Sequence, residues 1–207
     1  MGHRLGCGCW RRRAQESRAE PSAAAIGAAS VIIVAGCQST KPAPQAQLYP
    51  GFEGYARVVT TDSPEAQAWF DQGIQLLYGF NHDEAIRSFE RAAQADDSAA
   101  MPWWGIAYCH GININDPEMR GDRSQLAREA ADEAIARLDT ESAVEQALVM
   151  AVSARYVFPA LEDRFPLDEA YARAMGDVPT RFSGDADAVS YHPLTLPTYL
   201  RRVNVPV

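Results

Sequence analysis

Histidine and carboxylate side chains are the groups in this sequence whose types and spacing suit acid–base chemistry. His82 is followed directly by two acids, and a second histidine, His110, ends a tryptophan-rich segment. An imidazole beside a carboxylate is a common general-base pair, but a histidine in a polar turn is more often solvated and one on a helix more often packs in the core. The candidates are His82, Asp83, Glu84, Asp96, Asp97, His110, Asp116 and Glu118. We interpret Asp96 and Asp97 as turn residues that cap the next helix, and we assign no catalytic residue.

Oxygen-bearing side chains cluster in the segment after His110, which raises the possibility of a cation site. Asn113, Asn115, Asp116 and Glu118 carry the ligand type that Ca²⁺ prefers. The segment lacks the glycine and the ligand spacing of an EF-hand loop, so we interpret it as a structural loop. The sequence also has no nucleophile elbow, phosphate-binding glycine loop or metalloprotease helix motif. We therefore expect no metal and no cofactor.

The cysteines fit no zinc-site spacing. They are Cys7, Cys9, Cys37 and Cys109. The pair Cys109-His110 resembles the end of a c-type haem attachment motif, but Ile106 stands where the first cysteine of that motif is required. We exclude haem and interpret Cys109 as a small apolar residue buried on its helix.

The N-terminal region has the parts of a secretory signal. Residues 1–22 are basic, and residues 23–36 form a run of small and apolar residues. That run is shorter than the roughly 20 residues that a transmembrane helix needs. It ends in a tetrapeptide that resembles the lipobox of bacterial lipoproteins, Val34-Ala35-Gly36-Cys37. The resemblance implies that the Cys37 thiol carries a diacylglyceryl group and that the signal peptide, assigned to residues 1–37, is removed before it.

Lipidation at Cys37 predicts an exported protein of the cell envelope, attached to the membrane by lipid on the periplasmic or outer face. Residues 38–62 then form a polar tether and a lead-in to the folded part. A plain signal peptide with an incidental cysteine and an uncleaved anchor are the alternatives. The formal net charge of −8 does not favour nucleic acid, so we expect no nucleic-acid partner.

Residues 66–99 carry two apolar stripes at helical spacing, separated by a turn. Ser63 followed by Pro64 predicts the cap and first turn of a helix. Gly79 is expected to be the left-handed residue that ends this helix. Asn81 with an acid three residues later predicts a capping box for the second helix.

The alternation of large and small residues in this segment resembles one tetratricopeptide repeat (TPR), a helix–turn–helix unit of about 34 residues. The matching positions are Trp69, Gly73, Leu76, Ala85, Phe89 and Ala92, and the next repeat continues the pattern at Trp103 and Ala107. Residues 76–92 and 101–108 resemble a group of bacterial TPR-containing lipoproteins and secreted proteins. The resemblance implies an all-α fold, a TPR-like α-solenoid of antiparallel helix hairpins. Its phase places Trp103 in the core and turns Trp104 towards a groove.

We expect the repeat domain to span residues 63–190, with one regular repeat and two degenerate ones. A long loop follows Gly111, and Ser142 with Glu145 predicts the cap of a later helix. The helical period is lost in residues 191–207. Because a solenoid needs a polar terminal helix to close its core, we expect the array to be cut short there by truncation or a frame change. A tail that lies across the last repeat is the alternative.

The first functional hypothesis is a membrane-anchored scaffold for protein interactions. The concave face of stacked TPR hairpins holds peptides or helices of partner proteins. On this face we expect Phe70, Ile74, Tyr78 and Trp104 to contact an unknown protein or peptide. The alternative is an envelope enzyme or a metal- or solute-binding protein, with its site in the inserted loop or in a missing C-terminal part.

Overall fold

The computed structural model describes residues 45–113 and 115–184. All regular elements in these residues are helical, which confirms the predicted all-α class. The helices are α1 (Pro64–Tyr78), α2 (His82–Ala95), α3 (Met101–His110), α4 (Gly121–Ile135), α5 (Ala143–Ser153) and α6 (Phe165–Arg181), with a 3₁₀ turn over Leu138–Thr140. The predicted signal, Cys37 and the tail 191–207 lie outside the described residues.

Each helix packs against the next one along the chain, from α1 through α6. In addition, α1 contacts α3, and α3 contacts α5, so the odd-numbered helices also lie next to one another. Within the described part of the chain, no helix is both long enough and apolar enough to cross a bilayer.

One aromatic ring holds the first three helices together. Phe89 on α2 is fully buried, and it lies between glycines of the two neighbouring helices. A Cβ added to Gly73 of α1 would lie 2.6 Å from Phe89 Cε1, and one added to Gly105 of α3 would lie 2.6 Å from Cε2. The close approach of Gly73 to Phe89 follows the predicted pattern of small and large residues. The contact between Gly105 and Phe89 was not predicted from the sequence.

Two of the predicted helix caps are present and one is not. The Ser63 hydroxyl accepts the backbone N–H of Ala66 at 3.2 Å, and Ser142 forms a full capping box with Glu145. The prediction for Asn81 is wrong, because its side chain makes no capping hydrogen bond. The acid expected to complete that box instead forms an ion pair with Arg87.

The turn that ends α1 differs from the prediction by one residue. Gly79 has φ −78°, and the left-handed residue is Phe80, with φ 59°. The Phe80 N–H bonds to the Leu77 carbonyl at 3.0 Å, and the Asn81 N–H bonds to the Leu76 carbonyl at 2.9 Å. This is the hydrogen-bond pattern of a Schellman motif, in which the residue after the helix cap is left-handed. A phenylalanine therefore occupies the position that usually belongs to glycine.

The adjacent tryptophans of α3 face the opposite way from the prediction. Trp104 is 1% exposed, whereas Trp103 is only half-buried. The guanidinium of Arg137 covers the Trp103 ring at 5.1 Å, much as that of Arg91 covers Trp69 at 5.6 Å. The reason is that α3 is enclosed by α2, α4 and α5, so its inner face includes the side chain at Trp104.

Replacing Gly105 by alanine tests the packing around Phe89. The added methyl group meets a ring that Gly73 encloses on its other edge, so the ring has no room to withdraw. We expect a loss of roughly 1–3 kcal/mol in the free energy of unfolding, measured by urea denaturation. The control is Gly176→Ala in α6, where nothing lies within 4 Å of the new Cβ. That variant should gain about 0.5–1 kcal/mol from helix propensity. Equal effects in both variants would contradict this account.

Candidate functional site

The residues predicted to face a partner lie mostly in the core. Phe70, Ile74 and Trp104 are fully buried or nearly so, and Tyr78 is half-buried. One side of α1 packs on α2 and α3. Near its C-terminal end, the ring of Tyr55 contacts that of Tyr78 edge-on, with centroids 6.1 Å apart. The structure therefore does not bring these four side chains together on an open face.

The outer side of α1 instead holds the lead-in segment, defined here as residues 45–62. Gln67, Asp71 and Gln75 are spaced one helical turn apart, so they form one stripe, which we call the polar row. Gln67 donates to the carbonyl of Arg57 at 2.7 Å, and Asp71 accepts the Arg57 N–H at 3.0 Å. Both bonds join a side chain of the row to a main-chain group of the lead-in segment.

The same stripe binds the lead-in segment at two further points. Gln67 also accepts the N–H of Val59 at 3.1 Å, and Gln75 donates to the carbonyls of Phe52 at 2.6 Å and Tyr55 at 3.0 Å. Phe52 and Tyr55 also pack against the hydrophobic core. The lead-in segment is thus held along α1 without forming a strand.

A buried glutamine anchors the start of the lead-in segment. Gln72 is nearly inaccessible, and its Oε1 accepts the Tyr49 N–H at 2.7 Å. Its Nε2 donates to the Gln47 carbonyl at 2.9 Å and to the Ser88 hydroxyl at 3.0 Å. Because a buried amide without partners would cost free energy, these bonds make the lead-in segment part of the folded unit.

A glutamate of α5 fixes the other end of this segment, and a second glutamate just before α5 binds the chain ahead of α3. Glu145 accepts the N–H of Thr60 at 2.8 Å and its hydroxyl at 2.6 Å. Glu141 accepts the N–H of Ala100, before α3, at 2.7 Å. Both carboxyls are buried. Burial, together with the charge of Glu145, raises the pKa of Glu141 to about 7. Although burial opposes it, hydrogen bonds from Ser142 and Thr60 lower the pKa of Glu145.

A second candidate site is an open cavity of about 460 Å³, which we call the cleft. The cleft lies between the start of α2, the end of α3 and the loop that follows α3. It gathers six of the side chains with possible chemistry, namely His82, Asp83, His110, Asn113, Asn115 and Asp116. It does not include Glu84, Asp96, Asp97 or Glu118.

Arg123 of α4 builds the floor of the cleft by binding the C-terminal end of α3. Its guanidinium donates to the carbonyls of Cys109, His110 and Gly111, each at 3.1 Å, and it pairs with Asp116. Carbonyls at a helix end have no partner within the helix, so Arg123 replaces the missing donors. Arg123 carries no local signal in the sequence, because the contact joins two helices across a loop.

Two of the four loop side chains that suggested a calcium ion, Asn113 and Asp116, already have partners for their oxygens. The side-chain oxygen of Asn113 accepts the N–H groups of Asn115 at 2.9 Å and Asp116 at 3.1 Å. Asp116 pairs with Arg123 and lies 3.6 Å from Arg120. Over residues 45–113 and 115–184, no three side chains of the metal-binding types come together as a possible site.

The imidazoles of the cleft are less basic than usual. Burial and the charge of Arg123 lower the pKa of both His82 and His110, which favours the neutral form of both rings at pH 7. The neighbouring Cys109 thiol is buried, and burial raises its pKa. A thiol that stays protonated is a poor nucleophile, so Cys109 contributes no nucleophile to the cleft, whose other polar residues provide hydrogen-bonding groups.

The pair Glu141 and Glu145 predicts a pH-dependent stability. The pKa of Glu141 rises on folding from its usual 4.5 to about 7. Between these values the folded chain binds more protons than the unfolded chain, so this contribution to stability is full below 4.5 and is lost as the pH rises to 7. We expect Glu141→Gln, which keeps the acceptor for Ala100, to be progressively more stable relative to the wild type across this window, in urea denaturation. Exposed Glu162, changed to glutamine, is the control and should follow the wild-type profile. Parallel profiles for all three proteins would contradict the assignment.

Comparison with known proteins adds no assignment. The chain matches no protein-family model, and neither the curated protein sequences nor the solved structures contain a significant match.

Proposed function

We propose that this chain is a membrane-anchored interaction scaffold that holds an extended polypeptide segment on its first helix. The helix pairs belong, in this proposal, to a TPR-like α-solenoid of antiparallel hairpins. Two sets of positions 34 residues apart support it. Trp69 and Trp103 each stack under an arginine, and Phe70 and Trp104 are each buried. The contacts of α1 with α3 and of α3 with α5 also fit stacked hairpins.

The observation that carries the proposal is the polar row of Gln67, Asp71 and Gln75. These side chains bind peptide groups of the lead-in segment, and every polypeptide offers such groups. The outer face of α1 is therefore built to hold an extended chain with little dependence on its sequence. Side chains that point away from α1, such as Val58, remain free to contact a partner.

The partner in this proposal is a protein with an extended segment that lies beside the lead-in segment, which itself stays bonded to Gln72 and Glu145. The chain carries a formal charge of −8, so a segment with basic residues fits best. This surface differs from the one expected from the sequence, because Phe70, Ile74 and Trp104 are in the core.

The place of action proposed for the scaffold is the membrane surface of the cell envelope. The support is the sequence around Cys37, in which small residues precede the cysteine at the end of an apolar run. Acyl chains on this cysteine would each contribute about 0.8 kcal/mol per buried methylene to membrane binding. The polar tether would leave the helical part free to reach a partner.

Site-specific photo-crosslinking in cells tests the scaffold role. A photoreactive residue at Val58, 85% exposed on the lead-in segment, should give one discrete adduct with a partner polypeptide. The matched control is Met150, an apolar residue on α5 that is 54% exposed and should give little adduct. Gln67→Ala with Gln75→Ala should lower the yield at position 58, because the two changes remove four bonds that hold the lead-in segment on α1. No adduct at 58, or equal adducts at 58 and 150, would refute the proposal.

Replacing Cys37 by serine tests the membrane attachment. Without a thiol no diacylglyceryl thioether forms, so we expect an unprocessed chain or a product in the aqueous fraction. The measurement is detergent phase partition with intact-mass analysis, and Cys9→Ser is the matched control that should still be lipidated. A Cys37→Ser protein with normal processing and unchanged partition would show that the cysteine is incidental.

A further inference from the structure

The end of α1 presents an aromatic ring to solvent from an unfavourable backbone position. Phe80 has φ 59°, where glycine is favoured because it lacks a Cβ. Its ring is 48% exposed, so core packing does not offset the strain. Strained residues that the fold does not need are concentrated at functional sites, and Phe80 lines the cleft.

The charges that line the cleft balance one another. Asp83 and Asp116 are matched by Arg120 and Arg123, and Asp116 is shared by both arginines. The neutral form of the two histidines is favoured at pH 7, because burial and Arg123 lower their pKa values. A lining without net charge favours neither an anion nor a cation.

The cleft also has many planar polar groups beside the exposed ring. Asn81 makes no helix-capping bond, and His82 stands edge-on to Phe80 with ring centroids 6.1 Å apart. His110 and Asn115 line the same space. Neutral imidazoles and amides both donate and accept hydrogen bonds, and an aromatic face packs well against C–H groups. The volume of about 460 Å³ lies in the range of small-molecule sites.

We propose that the cleft binds a neutral saccharide, with Phe80 stacked on the sugar ring and the asparagine and histidine side chains bonded to its hydroxyl groups. A neutral saccharide matches the lining of the cleft. It has no charge, an apolar C–H face that can pack on Phe80, and hydroxyl groups that donate and accept hydrogen bonds. This site is separate from the polar row and does not depend on the scaffold role.

The test is titration of the full chain with N,N′-diacetylchitobiose, cellobiose and maltose, in a detergent without a sugar headgroup. Binding is followed by NMR through the ring signals of His82 and His110. We expect at least one of the three to shift both signals. The charged counterpart of that sugar should bind at least about tenfold more weakly. The counterpart is the de-acetylated dimer for diacetylchitobiose and the uronic acid form for cellobiose or maltose. No binding by any probe, or equal binding of a charged form, would overturn the proposal.

Variants at Phe80 separate binding from folding. Phe80→Gly removes the ring and relieves the left-handed position, so it should not lower the melting temperature, yet it should weaken binding at least about tenfold. Phe80→Asn, which also tolerates a left-handed backbone, should behave alike. The control is Phe158→Ala, since this ring is 50% exposed and does not line the cleft. Unchanged affinity in both Phe80 variants would overturn the proposal.

Co-sedimentation with insoluble cell-wall glycan identifies the source of the sugar. Retention that Phe80→Gly abolishes assigns the site to a polymer, and binding of soluble probes alone assigns it to a free saccharide. Either result supports the site. Glycan retention of the Phe80→Gly protein at the wild-type level would count against it.

Discussion

The packing of Phe89 between two glycines is the contact on which the first three helices depend. Helix axes can approach closely only where one partner has no side chain, and the ring then fills the space between them. Because Gly73 and Gly105 meet opposite edges of one ring, the positions of α1 and α3 relative to α2 are set together. Trp104 and Phe70 are buried in the same core, so this region has little freedom to adjust.

On the outer side of α1, polar contacts hold the neighbouring chain in place. The polar row and Gln72 bond to peptide groups of the lead-in segment, and Glu145 bonds to its far end at Thr60. A segment with no regular structure has peptide groups that need partners, and here helical side chains provide them. The consequence is a mainly helical unit whose first helix carries an extended chain, which is the physical basis for the proposed scaffold.

Features that depend on neighbouring residues in the chain could be predicted from the sequence. The caps at Ser63 and Ser142 and the small–large pattern of Gly73 and Phe89 all follow from local spacing, and the all-helical class follows from the same periodicity. Features that depend on contacts between distant residues could not. The left-handed residue shifted from Gly79 to Phe80, because the hydrogen bonds of the turn, and not residue preference, decide which residue bends. Trp103 and Trp104 exchanged roles because α3 is enclosed on several sides.

The cleft likewise combines residues that the local sequence indicates with a residue that only a long-range contact reveals. Its histidines and loop residues stood out in the sequence by type, but Arg123, which joins α4 to the end of α3, carried no local signal. The TPR and lipoprotein resemblances stay predictions.

The burial of Cys109 affects how its thiol reacts under oxidising conditions. Its thiol is buried at the end of α3, and burial keeps it protonated. Disulfide exchange needs an accessible thiolate, so the folded chain resists linkage to other thiol proteins. Before folding, the same thiol is accessible to oxidants and to other thiols, so under oxidising conditions the rate at which α3 is covered sets how many molecules escape mispairing.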